Sequence, residues 1–305
     1  MNIRSSGDDQ PLPVTVVVPV RNEERNLADC LSRLGEFAAV VVVDSGSTDR
    51  TEQIARDANA TFLHFVWNGG FPKKRNWTLL NHRFTTPWVL FLDADEYVTP
   101  GFVAELRREL PQSRHAGYWI RFANHFMGRE LRYGQPMKKL SLIRVGSGLY
   151  ERIDEVEWSS LDMEVHEHPV LEGSVGECAS KIDHNDFKGL HAYIARHNEY
   201  SSWEAARFAR LAVAPEASEK FTLVQRRKYR NLDRWWLAPA YFLHSFVWKQ
   251  GFRDGFTGFA FALMKAIYFF QIRLKILENR DVLSGGQPLD PKPACGVASA
   301  KGLQR

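Results

Sequence analysis

The chain has 305 residues, of which 44% are hydrophobic and 25% are charged. This balance is ordinary for a soluble globular protein, and the length allows one or two domains with a sizeable core. The formal net charge of +4 is too small to indicate nucleic-acid binding, so no nucleic-acid partner is expected.

The cysteines and the first residues indicate the compartment. Cys30, Cys178 and Cys295 lie far apart and form no Cys-x-x-Cys pair, so neither a disulfide framework nor a zinc knuckle is predicted. Residues 1–13 lack the apolar run of a secretory signal and are interpreted as a disordered lead. Both observations favour a reduced, cytoplasmic setting.

The first hundred residues alternate between strand and helix patterns. Short apolar, β-branched runs predict strands, whereas leucines at helical spacing and a proline at a first helical position predict helices. The predicted strands are Val14–Val20, Ala39–Val43, Thr61–Val66 and Trp88–Leu92, and the predicted helices are Asn26–Phe37 and Pro72–Asn81. Continuous apolar strands separated by helices are typical of a parallel α/β sheet.

The pattern changes after Leu110. The next predicted strands, in a mixed sheet, are Gly117–Phe122, Lys139–Val145 and Met163–Val170, and the later predicted helices are His191–Ala212, Lys220–Arg234, Leu237–Gln250 and Phe256–Glu278. The end of the chain is rich in Gly, Pro, Ala and Lys, which is typical of disorder. We therefore expect an α/β domain over 14–190, a helical region over 191–282 and a disordered tail over 283–305.

Four polar clusters fall where predicted strands end or in the loops that leave them. They are Arg21–Glu24, Asp44–Asp49, Pro72–Asn76 and Asp93–Glu96. Ligands of parallel sheets bind beyond the carboxyl ends of the strands. The sequence therefore predicts one site built from all four clusters.

The acidic cluster contains Asp93 and Asp95, which would point the same way if the strand continued through them. Two carboxylates on one side repel each other unless a cation compensates. Mg²⁺ or Mn²⁺ does so, and typically takes one or two carboxylates together with substrate phosphates. The alternative is a solvated acidic turn, the usual meaning of an isolated Asp-x-Asp. The preceding strand and the other three clusters favour the metal site.

The remaining clusters suit a nucleotide. Asp44 could accept a hydrogen bond from a base or a ribose hydroxyl, or it could cap the following helix. Asn22 and Glu23 could contact the same nucleoside, although Glu23 could instead be a solvated acid of a first helical turn. Lys73, Lys74 and Arg75 lie at a predicted helix start suited to phosphate. A solvated basic surface is the alternative, and it is preferred for the two lysines, whereas a functional role is favoured for Arg75 alone.

These motifs together resemble a known family. VTVVVPVRNEERNL, VVVVDSGSTDRT, KKRNW and VLFLDADEYV have the order and spacing of family-2 glycosyltransferases, whose GT-A fold is a Rossmann-like mixed sheet flanked by helices. The segments EVHEHPVLEGSVGE and KIDHNDFKGLHAYIARHNEYSSWEA resemble the lipopolysaccharide-core and exopolysaccharide subgroup. The resemblance covers roughly Val14–Asn198. It implies transfer of a sugar, with inversion, from a nucleotide donor that is usually UDP-linked, using Mg²⁺ or Mn²⁺.

The resemblance also implies roles for individual residues. Pro19, Glu23 and Asp44, with Asn22 beside them, would hold the nucleoside, and Arg75 would lie near the base or diphosphate. Asp93 would lie by the ribose and metal, and Asp95 would ligate the metal. His184 would make a further metal or phosphate contact.

Inverting transfer needs one general base to deprotonate the acceptor hydroxyl. The subgroup places a His-Glu pair after the central strands, so the resemblance implies Glu167 as the base and His166 as a residue that orients it or the acceptor. One rival interpretation is a zinc site formed by His166 and His168 on one strand face. Another is that all three are ordinary polar residues of a loop.

The helical region is expected to meet a glycan or lipid-linked acceptor. Its basic and aromatic residues fit an interfacial helix at an anionic membrane surface, which would place a cytoplasmic enzyme at the inner face of the plasma membrane. The alternative is a helical subdomain that packs on the core with a solvated basic face. Phe256–Leu274 is long enough to span a bilayer, but Lys265 near its middle favours a buried or interfacial helix.

Two other functions compete with glycosyl transfer. A sugar-nucleotide nucleotidyltransferase would also need a metal and a nucleotide, but its N-terminal loop is usually rich in Gly and basic residues, whereas PVRNEERN is acidic. A catalytically inactive, glycan-binding relative is the second alternative, and the intact Asp93-Ala94-Asp95 sequence argues against it.

Overall fold

The computed structural model describes residues 10–134, 136–153, 162–164, 167–184, 189–213 and 221–283, with side chains up to residue 280. The strands are β1 (Leu12–Val20), β2 (Phe37–Asp44), β3 (Thr61–His64), β4 (Trp88–Phe91), β5 (Glu96–Tyr97), β6 (Gly117–Phe126), β7 (Arg129–Leu131), β8 (Met137–Arg144), β9 (Gly148–Tyr150), β10 (Pro169–Leu171) and β11 (Val175–His184). The α-helices are α1 (Leu27–Ser32), α2 (Thr51–Asp57), α3 (Lys74–Asn81), α4 (Pro100–Glu109), α5 (Gly189–Val213), α6 (Leu223–Asn231), α7 (Leu237–Leu243) and α8 (Gly255–Leu283). A π-helical turn, His244–Trp248, continues α7, and short 3₁₀ turns lie at Leu110–Gln112 and Gly251–Asp254.

One mixed sheet of nine strands organises the α/β part, in the order β3-β2-β1-β4-β8-β6-β11-β5, with β7 paired to β6. β1 pairs in parallel with β2 and β4, and β2 pairs in parallel with β3. β8 runs antiparallel to β4 and β6, which turns the sheet from parallel to mixed. The predicted α/β fold with a mixed sheet and a C-terminal helical region is confirmed.

Strand β1 lies at the centre of this sheet, and its two faces belong to different cores. Val16 and Val18 pack in a cluster with Leu27 of α1, whereas Val17 packs on the opposite face with Phe91. All five side chains are at most 2% exposed. A strand buried on both faces needs a continuous apolar run, which explains the VTVVVPV sequence.

Several predicted boundaries were wrong. The predicted disordered lead overlaps β1, which begins at Leu12. The predicted helix Asn26–Phe37 ends at Ser32, and Phe37 opens β2 after a turn closed by its N–H on the Leu34 carbonyl. Helix α3 begins at Lys74 rather than Pro72, because Lys73 has an extended backbone (φ −77°, ψ 178°).

The predicted strand Met163–Val170 was also wrong. Asp162–Glu164 is not a strand in the structure, and β10 begins only at Pro169. Helix α4 and strand β11 were not predicted; β11 pairs in parallel with β6 and supplies His184 at its end. Cys30 and Cys178 are buried free thiols, and Cys295 lies outside the described residues.

The helical region packs α8 against α5 and α7. Ala205 and Leu232 form a small core with Ile272 and Ile276 of α8. The region is also joined to the sheet, because the Phe126 ring at the end of β6 packs against Tyr193 and Phe261 with ring centroids 5.3 Å apart in both pairs.

Candidate active site

Asp44, at the end of β2, shapes the loop that follows it. Its Oδ2 accepts hydrogen bonds from the backbone N–H groups of Gly46 and Ser47 at 2.9 Å each, and its Oδ1 accepts one from the Ser47 hydroxyl. Gly46 has φ +81°, a left-handed conformation that glycine adopts without strain. Pro19 lies beside Val43 in the β1–β2 register. The Asp44 carboxylate therefore orders its own loop, and its role toward a nucleoside stays a prediction.

The loops after β1 and β2 are bonded to each other. Asn22 is left-handed (φ 56°); its N–H donates to Ser47 Oγ and its Oδ1 accepts from the Thr48 N–H, both at 2.8 Å. The Glu23 N–H donates to Thr51 Oγ1 at 2.8 Å. The residues predicted to hold the nucleoside thus belong to one bonded unit at the carboxyl ends of two parallel strands.

The lysines before Arg75 are buried, so their interpretation as solvated basic surface was wrong. Lys73 is 6% and Lys74 2% exposed. Lys74 Nζ donates to the Val20 carbonyl at 2.9 Å and lies 3.4 Å from Asp162 Oδ2. Burial lowers the pKa of Lys74, while Asp162 opposes that shift. The start of α3 is therefore fixed to the end of β1.

Arg75 joins α3 to the acidic cluster. Its Nη2 donates to Asp93 Oδ1 at 2.8 Å, and its Nη1 donates to the Glu164 carbonyl. The Glu164 carboxylate accepts from the backbone N–H groups of Arg75 and Asn76 at 2.8 and 2.9 Å, so these two groups at the helix start are already bound. The Arg75 Nε–H is buried and has no acceptor in the part of the chain that the structure describes.

The acidic cluster forms a turn, so the expectation that Asp93 and Asp95 share a strand face was wrong. Strand β4 ends at Phe91, and the Glu96 N–H donates to the Asp93 carbonyl at 2.9 Å. The two carboxylates separate as a result. Asp93 faces Arg75, whereas Asp95 Oδ2 lies 3.8 Å from Nε2 of His184.

Lys139 of β8 is the residue that sequence reasoning missed. Its Nζ donates to Asp93 Oδ2 at 2.7 Å and to Glu96 Oε1. Burial alone would raise the pKa of Asp93, but Lys139 and Arg75 outweigh burial and hold that pKa well below its usual range. Burial raises the pKa of Glu96 to about 7, although Lys139 opposes the shift. Protein cations therefore compensate part of the acidic charge.

The substitution Lys139→Met is expected to lower the free energy of unfolding by about 3 kcal/mol at pH 7, because it leaves the buried Glu96 carboxylate and the partly exposed Asp93 carboxylate without this cation. Ionised Asp93 has a lowered pKa, so its stabilisation is present above about pH 4 and is lost as the pH falls. The stability difference between wild type and variant should shrink below pH 4. Chemical denaturation across this range measures it, and a pH-independent difference would contradict the assignment.

Asp95 and His184 offer a carboxylate oxygen and an imidazole nitrogen, a pair that would suit a divalent cation whose other ligands would be substrate oxygens and water. His184 Nδ1 lies 3.2 Å from Asn124 Oδ1, which assigns the proton to Nδ1 and leaves the Nε2 lone pair toward Asp95. Burial lowers the pKa of His184, which favours the neutral ligand form. No group of three or more His, Cys, Asp and Glu side chains arranged for a metal occurs among the described residues. Both Asp93 oxygens already accept from protein cations, so a direct metal contact by Asp93 would have to use their remaining lone pairs.

Glu167, the predicted base, is buried and lies 2.8 Å from Lys73 Nζ. Lys73 is two residues before Arg75, so the same short segment holds both Glu167 and Asp93. His166 lies outside the described residues, and His168 is not in a strand, so a shared strand face for the zinc alternative has no support here.

A cavity of about 80 Å³ adjoins Glu167. Its lining includes Lys73, Glu164 and Glu167, together with Trp67, Glu151 and Arg152. Gln225 at the start of α6 donates to Glu151 at 3.1 Å, which attaches the helical region to the rim of this cavity. The arrangement offers a space beside the predicted base that is bordered by charged and aromatic groups.

Known proteins match this chain in sequence. Residues 15–159 match the profile of Glycosyl transferase family 2. Over 285 residues the chain is 28% identical to the lipopolysaccharide core biosynthesis glycosyltransferase LpsC of Rhizobium meliloti (strain 1021), a match that spans 88% of this chain and 93% of LpsC.

Solved structures also match. S. aureus TarS 1-349 in complex with UDP-GlcNAc is 17% identical, with a TM-score of 0.46 over 90% of this chain and 92% of that chain. Glucosyl-3-phosphoglycerate synthase from Mycobacterium tuberculosis, in complex with Mn²⁺, UDP and glucosyl-3-phosphoglycerate, is 24% identical, with a TM-score of 0.29 over 37% and 44% of the two chains. These sequence matches confirm the predicted resemblance to family-2 glycosyltransferases, and they show that the chain is a glycosyltransferase.

Proposed function

We propose that the enzyme transfers a sugar, with inversion, from a UDP-linked donor to a glycan or lipid-linked acceptor in cell-surface polysaccharide or lipopolysaccharide synthesis, using Mg²⁺ or Mn²⁺. The contact between Arg75 and Asp93 carries the proposal, because it joins the basic start of α3 to the acidic turn at the carboxyl ends of the parallel strands. The likeness to LpsC supports the acceptor class. We place the enzyme in the cytoplasm, where nucleotide sugars are available.

The donor would lie across the four clusters. Asn22, Glu23, Asp44 and Pro19 would surround the nucleoside, and Asp93 would lie by the ribose. The buried Arg75 Nε–H, which has no acceptor in the described part of the chain, is a donor that suits a diphosphate oxygen. Asp95 and His184 would hold the cation. When bound, the cation supplies charge that offsets the negative charge on the departing diphosphate.

Glu167 would act on the acceptor. It would take the proton of the acceptor hydroxyl as the oxygen attacks the anomeric carbon from the face opposite the diphosphate, and the bond from that carbon to the diphosphate oxygen breaks. His166 would orient Glu167 or the acceptor. Lys73, at 2.8 Å from Glu167, fixes the position of the carboxylate within a buried environment.

A nucleotide panel tests the function. UDP and UDP-sugars are expected to raise the melting temperature, and more so with Mn²⁺, while ADP and CDP serve as matched controls. Incubation with the correct UDP-sugar and an acceptor should release UDP. Release of pyrophosphate from UTP and a sugar phosphate would instead show a nucleotidyltransferase. Stabilisation by glycans alone, with no response to UDP, would show an inactive glycan-binding relative.

A further inference from the structure

Helix α8 carries a stripe of exposed apolar side chains. The stripe consists of Phe256, Phe259, Leu263, Ile267, Phe270 and Leu274, which are between 38% and 71% exposed. Their spacing of three and four residues places them on one face of the helix. At 1.5 Å per residue, the stripe is about 27 Å long. Soluble monomers rarely expose so continuous an apolar surface unless it binds something.

The stripe continues into the segment that precedes α8. Trp248 and Phe252 are 79% and 52% exposed, and Leu243 and Val247 are also exposed. The Phe246 ring lies between the two parts, 6.3 Å from Phe252 and 5.7 Å from Phe259 between ring centroids. We call the stripe and these four exposed residues the outer apolar face.

Three basic residues of α8 make contacts within the protein instead. Lys265 Nζ lies 3.2 Å from His197 Nε2, and Lys275 Nζ donates to Ser201 Oγ at 2.8 Å, both on α5. Arg273 donates to the Asp233 carbonyl at 3.2 Å. Helix α8 is long and apolar enough to cross a membrane by composition. However, crossing would take these polar contacts with α5 into the bilayer, so contact through one face is favoured over spanning.

The region of the chain that carries the outer apolar face is basic in composition. Residues 221–280 contain eleven Lys and Arg but three Asp and Glu, although the whole chain has a net charge of only +4. Arg226, Arg227 and Arg230 of α6 and Lys249 beside Trp248 are exposed. Pairing two copies through this face would bring like charges together, which disfavours a self-associated dimer. Anionic lipid complements both the charge and the apolar stripe.

We infer that the outer apolar face docks the protein onto an anionic lipid surface, with the stripe of α8 lying in the plane of the interface. The inference goes beyond the proposed function by naming the residues that make the contact, and it rests on that function only for its biological purpose. Docking is measured without donor or acceptor, so a failed docking experiment and a failed transfer assay are separate results.

Flotation of the full chain with vesicles tests the inference. The protein should float with vesicles of mixed phosphatidylcholine and phosphatidylglycerol, float less at high salt, and remain in solution with phosphatidylcholine alone. The triple variant Trp248→Ser, Phe252→Ser, Phe256→Ser should reduce partitioning about tenfold or more. The matched control, Leu80→Ser with Val170→Ser, removes two side chains that are 53% and 58% exposed elsewhere and should float like wild type.

A second measurement does not depend on the triple variant. An environment-sensitive fluorophore on Phe256→Cys should shift to the blue when anionic vesicles are added, and the same label on Leu80→Cys should not. Absence of flotation, equal loss in the triple and control variants, or an unshifted label at Phe256→Cys would each overturn the inference. A concentration-dependent dimer abolished by the triple variant would assign the face to a second copy, and resistance to alkaline extraction would assign α8 to a spanning helix.

Discussion

Glu167→Gln is expected to lower turnover by about 10²–10⁴-fold while changing the affinity for UDP little. Glutamine cannot take the acceptor proton, yet its amide oxygen can still accept from Lys73, which lies 2.8 Å from the carboxylate. The fold and the donor site should therefore persist. Turnover at saturating donor and acceptor, with calorimetric titration of UDP in the presence of Mn²⁺, measures the two quantities separately.

Lys73→Met is the control for a purely structural role of Glu167. Removing one partner of a buried ion pair costs about 3–5 kcal/mol, so this variant loses stability and the fixed position of Glu167 but keeps its carboxylate. If Glu167 is the base, the substitution Glu167→Gln should lower turnover far more than it lowers stability. If Glu167→Gln retains full turnover, or if both variants lose turnover only in proportion to stability, Glu167 is not the base.

Asp95→Asn is expected to remove the Mn²⁺ dependence of UDP binding and to lower turnover by about 10²-fold or more, as when charge stabilisation of a leaving group is lost. The amide keeps the shape of the side chain but is a much poorer cation ligand. Titration of UDP with and without Mn²⁺ measures the effect. UDP binding that stays equally dependent on Mn²⁺ in the variant would show that Asp95 does not hold the cation.

Asp93→Asn provides the comparison, because Asp93 contacts two protein cations whereas Asp95 contacts His184. Loss of the Asp93 charge leaves Arg75 and Lys139 without one shared anion. We therefore expect a larger fall in melting temperature for Asp93→Asn than for Asp95→Asn. The reverse order would indicate that Asp95, rather than Asp93, supports the fold.

The parallel half of the fold and the grouping of the four clusters could be predicted from sequence. Strands such as β1 are buried on both faces, so their apolar runs are visible in the sequence, and the carboxyl ends of parallel strands meet at one edge. Hydrogen bonds join the clusters in the structure. Asn22 bonds to Ser47 and Arg75 bonds to Asp93, while Lys74 bonds to the carbonyl of Val20, directly before the first cluster.

The burial of the lysines before Arg75 could not be predicted in the same way. Glu167, the partner of Lys73, lies 94 residues away in the sequence, and Asp93, a partner of Lys139, lies 46 residues away. Nothing in the local sequence distinguishes such a lysine from a solvated one. The turn at Asp93 was missed for a related reason, because a run of apolar residues shows where a strand lies but not where its last ladder hydrogen bond falls.

Three consecutive residues at the start of α3 connect separate parts of the candidate site. Lys73 holds Glu167, Arg75 holds Asp93, and Lys74 between them ties the turn to the Val20 carbonyl. Three consecutive residues thus connect these groups, so a displacement of this segment would move the predicted base Glu167 and Asp93 together. Substitutions that tilt α3 should therefore change donor affinity and the rate of the chemical step together, even when the substituted residue contacts neither substrate.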